Sequence, residues 1–168
     1  MTPELRGLVF RLLSEHRIMT LATNRPDGWP QATVVGYAND RLVIYCFVAR
    51  LSQKFANISR DPRVSATIAR DVPQPLEIRG LSLGGKAVPV TQESEFDRAS
   101  EIFMKRYPEY AAWPKPSPAI AAMLRITPTV ISVLDYSKGF GHSDLVKVEE
   151  GDLRATGVQK HDWFSRAS

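Results

Sequence analysis

The stretch Val48-Ala49-Arg50-Leu51-Ser52-Gln53-Lys54 carries the most chemistry in this sequence. An apolar strand-like run ends there and a helical pattern begins within a few residues. A helix N-terminus presents free N–H groups and a partial positive charge, which suits a phosphate. Arg50, Ser52 and Lys54 place two cations and a hydroxyl at that point. The same residues also suit a solvated basic helix start, and their chemistry by itself leaves both readings open.

Other chemistries find little support. No GxGxxG follows a strand and no GxxxxGK[ST] occurs; Gly84-Gly85-Lys86 reads as a turn. His16, His142 and His161 lie far apart, without Cys or His at ligand spacing, so no metal site is expected. No Ser-His-Asp order can be singled out. Cys46, between Tyr45 and Phe47 in an apolar run, reads as a buried inert thiol. No residue stands out as a catalytic acid, base or nucleophile.

The elements that must position the basic turn follow from periodicity. Thr2-Pro3-Glu4 is a helix start, and Leu5, Leu8, Val9, Leu12 and Leu13 give the helix one apolar face as far as His16. Arg17–Thr23, Gln31–Tyr37 and Arg41–Val48 read as three strands, joined by turns at Pro26-Asp27-Gly28 and Asn39-Asp40. A helix through Leu51, Phe55 and Ile58, with Ser52 at its start, stops at Asp61-Pro62. Arg63–Ala69 is a strand. Leu76–Val90 is another, with Gly80, Gly84 and Gly85 as bulge or corner signals. Thr91 caps a helix with an acidic first turn. Tyr107–Pro118 is an irregular loop or short helix, Met123–Tyr136 is the last long strand, and a polar tail follows. Strands outnumber helices without βαβ alternation, so the pattern predicts an antiparallel barrel with helices packed outside.

Composition agrees. With 168 residues, 43% hydrophobic and 24% charged, the chain suits one globular domain and excludes general disorder. No run approaches the ~20 apolar residues of a membrane span. A net charge of +4, from 22 basic and 18 acidic residues, is too small and scattered to indicate nucleic acid. One cysteine excludes an internal disulfide, and the N-terminus lacks a secretory pattern, so a cytoplasmic location is expected.

Gln31–Tyr37, Leu42–Phe47, Ser52-Gln53-Lys54 and Asp61-Pro62-Arg63-Val64-Ser65, in this order and spacing, resemble the pyridoxamine 5′-phosphate oxidase-like superfamily of FMN-binding split β-barrels. Leu124–Asp135 resembles its last barrel strand. The resemblance implies a mainly β (α+β) fold: a six-stranded antiparallel Greek-key split barrel with peripheral helices, over residues 1–168 as one domain. It implies a homodimer with FMN in the groove between subunits. Ser52 and Lys54 match the family's Ser-x-Lys that grips the cofactor phosphate; Gln53 between them is expected to line the same site, and Arg50 to replace one of the charges the oxidases carry elsewhere. Ala32, Thr33, Val34 and Val35 match the strand along the isoalloxazine ring, and Tyr45, Cys46 and Phe47 match the strand bordering the same groove. Ala32 and Tyr37 stand where the family's oxidases have Arg and Lys, and the oxidases' C-terminal Arg-rich motif is absent, so pyridoxamine phosphate oxidation is not expected.

The expected function is flavin-dependent hydride or electron transfer to an unknown small molecule. The alternatives are use of the deazaflavin F420, a non-catalytic flavin-binding or sensing role, and haem handling with His142 as the iron ligand. A surface turn is the plainer reading of His142. Aromatics of 107–118, Trp113 among them, and the 136–145 stretch are candidate pocket walls.

Overall fold

The computed structural model describes residues 1–113, 117–149 and 152–159. The first helix, α1 (Pro3–Glu15), starts as its sequence dictates: the Thr2 hydroxyl accepts the Leu5 N–H at 3.3 Å and Pro3 opens the first turn. Its five apolar positions are all buried. Eight helices and strands follow: β1 (Ile18–Asn24), β2 (Pro30–Gly36), β3 (Ala38–Asp40), β4 (Val43–Ala49), α2 (Gln53–Arg60), β5 (Arg63–Ala69), β6 (Arg79–Pro89) and α3 (Glu93–Arg106). Then come β7 (Ala121–Asp135), β8 (Ser143–Glu149) and β9 (Asp152–Gln159).

All pairings are antiparallel, in the order β2-β1-β5-β6-β7-β4-β3. Only Tyr37 separates β2 from β3, so the two ends of that order are one stretch of chain: β2 bonds to β1 and β3 bonds to β4. The sheet therefore curls back on itself. β1 pairs with β5 and β4 with β7, the non-sequential neighbours of a Greek key. The class is the mainly β split barrel the sequence suggested.

The strand count is corrected. The sheet has nine strands, not six. With β2 and β3 taken as one stretch, six of them circle the barrel. The stretch read as a polar tail forms a further hairpin, β8–β9, on the second half of β7. Its inward residues, Val146 and Leu153, are buried, but polar neighbours hide the alternation. Two smaller corrections are local. Asn39-Asp40 belongs to β3 and the turn falls at Arg41, whose φ is +54° and whose carbonyl accepts the Asn39 side-chain amide at 3.0 Å. Gln92, without a side-chain hydrogen bond, precedes α3 in place of Thr91.

Gly28, at φ +86°, makes the β1–β2 turn as expected. The ladder of β6 on β7 shifts register between Gly84 and Gly85, and a Cβ on Gly85 would lie 2.4 Å from the Thr127 carbonyl oxygen. This is the bulge that the paired glycines signalled. One apolar core joins α1, the barrel interior and the β8–β9 hairpin, from Leu5 to Leu153. Arg106 of α3 locks the end of α1. Its guanidinium donates to the carbonyls of Leu13 (2.6 Å), Ser14 (3.0 Å) and His16, the groups a helix C-terminus leaves unpaired. No helix of the described residues is long and apolar enough to cross a membrane.

Candidate functional site

The end of β4 turns into α2 through a tight loop. The Ser52 N–H donates to the Ala49 carbonyl at 3.0 Å, and the Ser52 hydroxyl donates to the same oxygen at 2.6 Å. That hydroxyl also accepts the Phe55 N–H at 3.2 Å, so Ser52 is the N-cap. The N–H groups of Gln53 and Lys54 find no acceptor among the described residues. Lys54, half-buried in the first turn, has no hydrogen-bond or ion-pair partner there either. Burial pushes its ammonium below the ordinary lysine range, and the Cys46 thiol opposes this weakly. A helix start with free N–H groups and an unneutralised cation is built to take an anionic oxygen group.

Arg50 is already engaged. Its Nε donates to the Pro118 carbonyl at 2.5 Å and its guanidinium lies 5.4 Å from the centre of the Phe55 ring. The Arg50 N–H donates to the Ile120 carbonyl at 2.8 Å. The residue therefore ties the turn to the segment leading into β7. Gln53 is also committed, donating its amide to the Asn57 side-chain oxygen at 2.8 Å.

α2 packs against β1, β4 and β6, and a side-chain hydrogen bond links it to β2. Asn57, fully buried, donates to Gln31 Oε1 at 3.2 Å and to Thr23 Oγ1 at 3.0 Å. Two positions beyond Gln31 on the same face of β2, Thr33 keeps a buried hydroxyl with no partner. Val35, next on that face, is core. Ala32 and Val34 point the other way and are exposed. On β4, Cys46 is wholly buried in the core within the field of Lys54, and burial pushes its thiol up to about 12. Tyr45 and Phe47 point outward under α3. The Tyr45 hydroxyl donates to Glu95 at 3.1 Å, where Arg125 also binds, and Phe47 packs edge-on to Phe103 at 5.1 Å. Their side chains are thus not brought to the turn. Tyr37 is buried with its hydroxyl on the Leu13 carbonyl at 2.9 Å, so it makes no contact there.

Two other places carry candidates. His142 is buried, not a surface turn residue: its Nε2 lies 3.2 Å from Asp144 Oδ2, which also accepts Lys138 Nζ at 3.1 Å. A recess of about 540 Å³ beside this group is lined by Leu5, Lys138, Asp144, Ala155 and Val158, and no residue of the α2 turn reaches it. Among the described residues, no three His, Cys, Asp or Glu side chains gather as a metal site. His161 and residues 114–116 of the Pro-rich segment lie outside the described residues. Trp113 ends a stacked column with Tyr110 and Tyr107, at centroid spacings of 5.3 and 5.1 Å.

The sequence reading missed Asn57, Gln31 and Thr23. The available signal was an asparagine between Phe55 and Ile58, on the helix face that must turn inward.

A family model described as pyridoxamine 5′-phosphate oxidase matches residues 5–135. The chain belongs to that family. The match takes in α1 from Leu5 onward and the whole barrel, ending with β7. Among solved structures, a conserved hypothetical protein from Mycobacterium tuberculosis is 28% identical, with a TM-score of 0.65 over 82% of this chain and 87% of that one. A heme binding protein from Mycobacterium smegmatis is 19% identical with a TM-score of 0.74. The match takes in 88% of this chain but 59% of that longer one. A heme storage protein from Vibrio cholerae is 17% identical, with a TM-score of 0.63 over 74% and 89% of the two chains. At those last identities the likeness is one of fold. A comparison with curated proteins found no match.

Proposed function

We propose that this family member is an FMN-dependent oxidoreductase whose α2 turn holds the cofactor phosphate. The observation that carries the reading is Lys54, a half-buried cation without a counter-charge beside two free helix N–H groups. A cation taken partly out of water without a partner is costly unless an anion completes it. The buried Thr33 hydroxyl, on the β2 face that Gln31 begins, is a second polar group without a partner. The residues therefore fit the phosphate end of FMN.

FMN, when bound, supplies the redox chemistry of its ring. The chain's own part is to hold and orient. Lys54 and the N–H groups of Gln53 and Lys54 anchor the phosphate, with Ser52 fixing the turn. The β2 backbone from Ala32 to Val35 flanks the ring. Homodimerisation belongs to the same proposal. On the outer sheet face, Val34, Thr20, Thr67 and Ser82 stand in one cross-strand row, and Ala32 begins a parallel row of small residues. Such a face lets a second copy approach the exposed side of β2 closely.

A test is to reconstitute the full chain with FMN and follow the flavin absorbance anaerobically with NADH or NADPH, then with oxygen or quinone acceptors. Bleaching and recovery are expected. A bound flavin that is silent to every donor would make the protein a flavin-binding module instead.

One observation favours a second reading, haem binding. Asp144 is hydrogen-bonded to His142, as a carboxylate behind a ligating imidazole would be. It ranks below FMN because that contact occupies Nε2 and leaves the ring buried. A Soret band on haem addition that disappears in His142→Ala would reverse the order.

A further inference from the structure

We infer that Asn57 is the positioning residue of the anion-binding turn, the buried amide that fixes where Lys54 and the free N–H groups of α2 point. The inference rests on the phosphate reading of that turn.

α2 has eight residues, too few to hold a defined orientation by itself. Its apolar anchorage is slight: Ile58 is its one buried apolar side chain, and Phe55 is half-buried. Asn57 is fully buried, and its amide is used on both sides. Nδ2 donates to Thr23 Oγ1 of β1 at 3.0 Å and to Gln31 Oε1 of β2 at 3.2 Å. Oδ1 accepts from Gln53 Nε2 at 2.8 Å, one turn back in the same helix. A single side chain therefore joins three elements: two strands and the first turn of the helix that carries the cation. Hydrogen bonds are directional, whereas apolar packing allows a short helix to roll. Asn57 also sits three residues after Lys54 and one turn after Gln53, so a roll of α2 that broke its bonds would displace both. The orphaned Thr33 hydroxyl lies on the β2 face that Gln31 begins, so the network stops where a ligand oxygen would continue it. Asn57 touches none of the groups proposed to meet the phosphate except Gln53, and it acts through the helix.

The test compares FMN with riboflavin, which has the ring but no phosphate, in fluorescence titrations of the full-length protein. Wild type is expected to bind FMN more tightly. Asn57→Ala is expected to raise the FMN Kd about tenfold or more while the riboflavin Kd stays within about twofold, as for a misplaced anchor. Gln31→Met removes only the β2 arm, and about a threefold rise for FMN alone is expected, from the loss of one hydrogen bond; it carries the test if Asn57→Ala does not fold. Equal shifts for both flavins, or none, would overturn the positioning role. A wild type that binds the two flavins equally would overturn the phosphate reading itself, and the inference with it.

Discussion

Replacing Lys54 by Met tests the electrostatics of the turn with little change of volume. The ammonium has no partner among the described residues, and burial holds its pKa below 10.5. The sign follows from linkage: a lysine whose folded pKa is lowered disfavours the folded state at every pH where the unfolded chain is protonated. The penalty is complete below the folded pKa and disappears as pH rises past ~10.4. At pH 7, Lys54→Met should therefore leave the ligand-free melting temperature unchanged or raise it, and any gain should vanish in strong alkali. Phosphate binding should move the other way. A hydrogen bond to a charged group contributes ~1.5–3 kcal/mol, so the FMN Kd should rise about 10- to 150-fold. Salt should weaken wild-type binding more than the variant's. Fluorescence titration and thermal melts on the same samples give both answers. A variant that binds FMN as tightly as wild type, or that is clearly destabilised without ligand, would refute the view of Lys54 as an unpaired, waiting cation.

Arg106→Met should cost ~1–3 kcal/mol by urea denaturation, since a charged donor serving three part-buried or exposed helix-end carbonyls is lost; a change below ~0.5 kcal/mol would contradict that role. Gly85→Ala must displace the Thr127 carbonyl 2.4 Å from its Cβ, so a loss of ~3 kcal/mol or more, or failure to fold, is expected, and near-wild-type stability would remove the bulge from the account. Asp61 accepts from Arg63 and then Asn24, which hold its carboxyl well below the usual range. Its contribution is present above ~pH 4 and is lost as pH falls toward the folded pKa, so Asp61→Asn should lower stability at pH 7, flatten the acid limb below ~pH 4 and converge with wild type in stronger acid; equal stability of the two proteins at pH 7 would contradict the pairing.

Much of this architecture was legible because local signals and packing agree. Thr2-Pro3, Ser52 and Asp61-Pro62 mark helix ends by backbone chemistry that tertiary contacts did not override. Gly84-Gly85 marks a bulge, and a Cβ on Gly85 would run into the β7 backbone. The β8–β9 hairpin was not legible: Val146 and Leu153 are its buried anchors in a run of polar residues, and its pairing partner on β7 is set by the barrel. At the site, Ser52 and Lys54 were readable from type and position. Spacing could not show that Arg50 is spent on Pro118, or that Tyr45 and Phe47 face α3 while Cys46 faces the core. Alternation along a strand says that neighbours face opposite ways; which face a helix covers is decided by α3, fifty residues later. Asn57 was invisible for a related reason, since its three partners come from three elements.

The most direct measurement is the identity of whatever leaves the freshly purified protein on denaturation, read by absorption and mass. The account predicts a yellow protein that releases FMN. A colourless chain that takes up neither FMN nor F420 on reconstitution would contradict it.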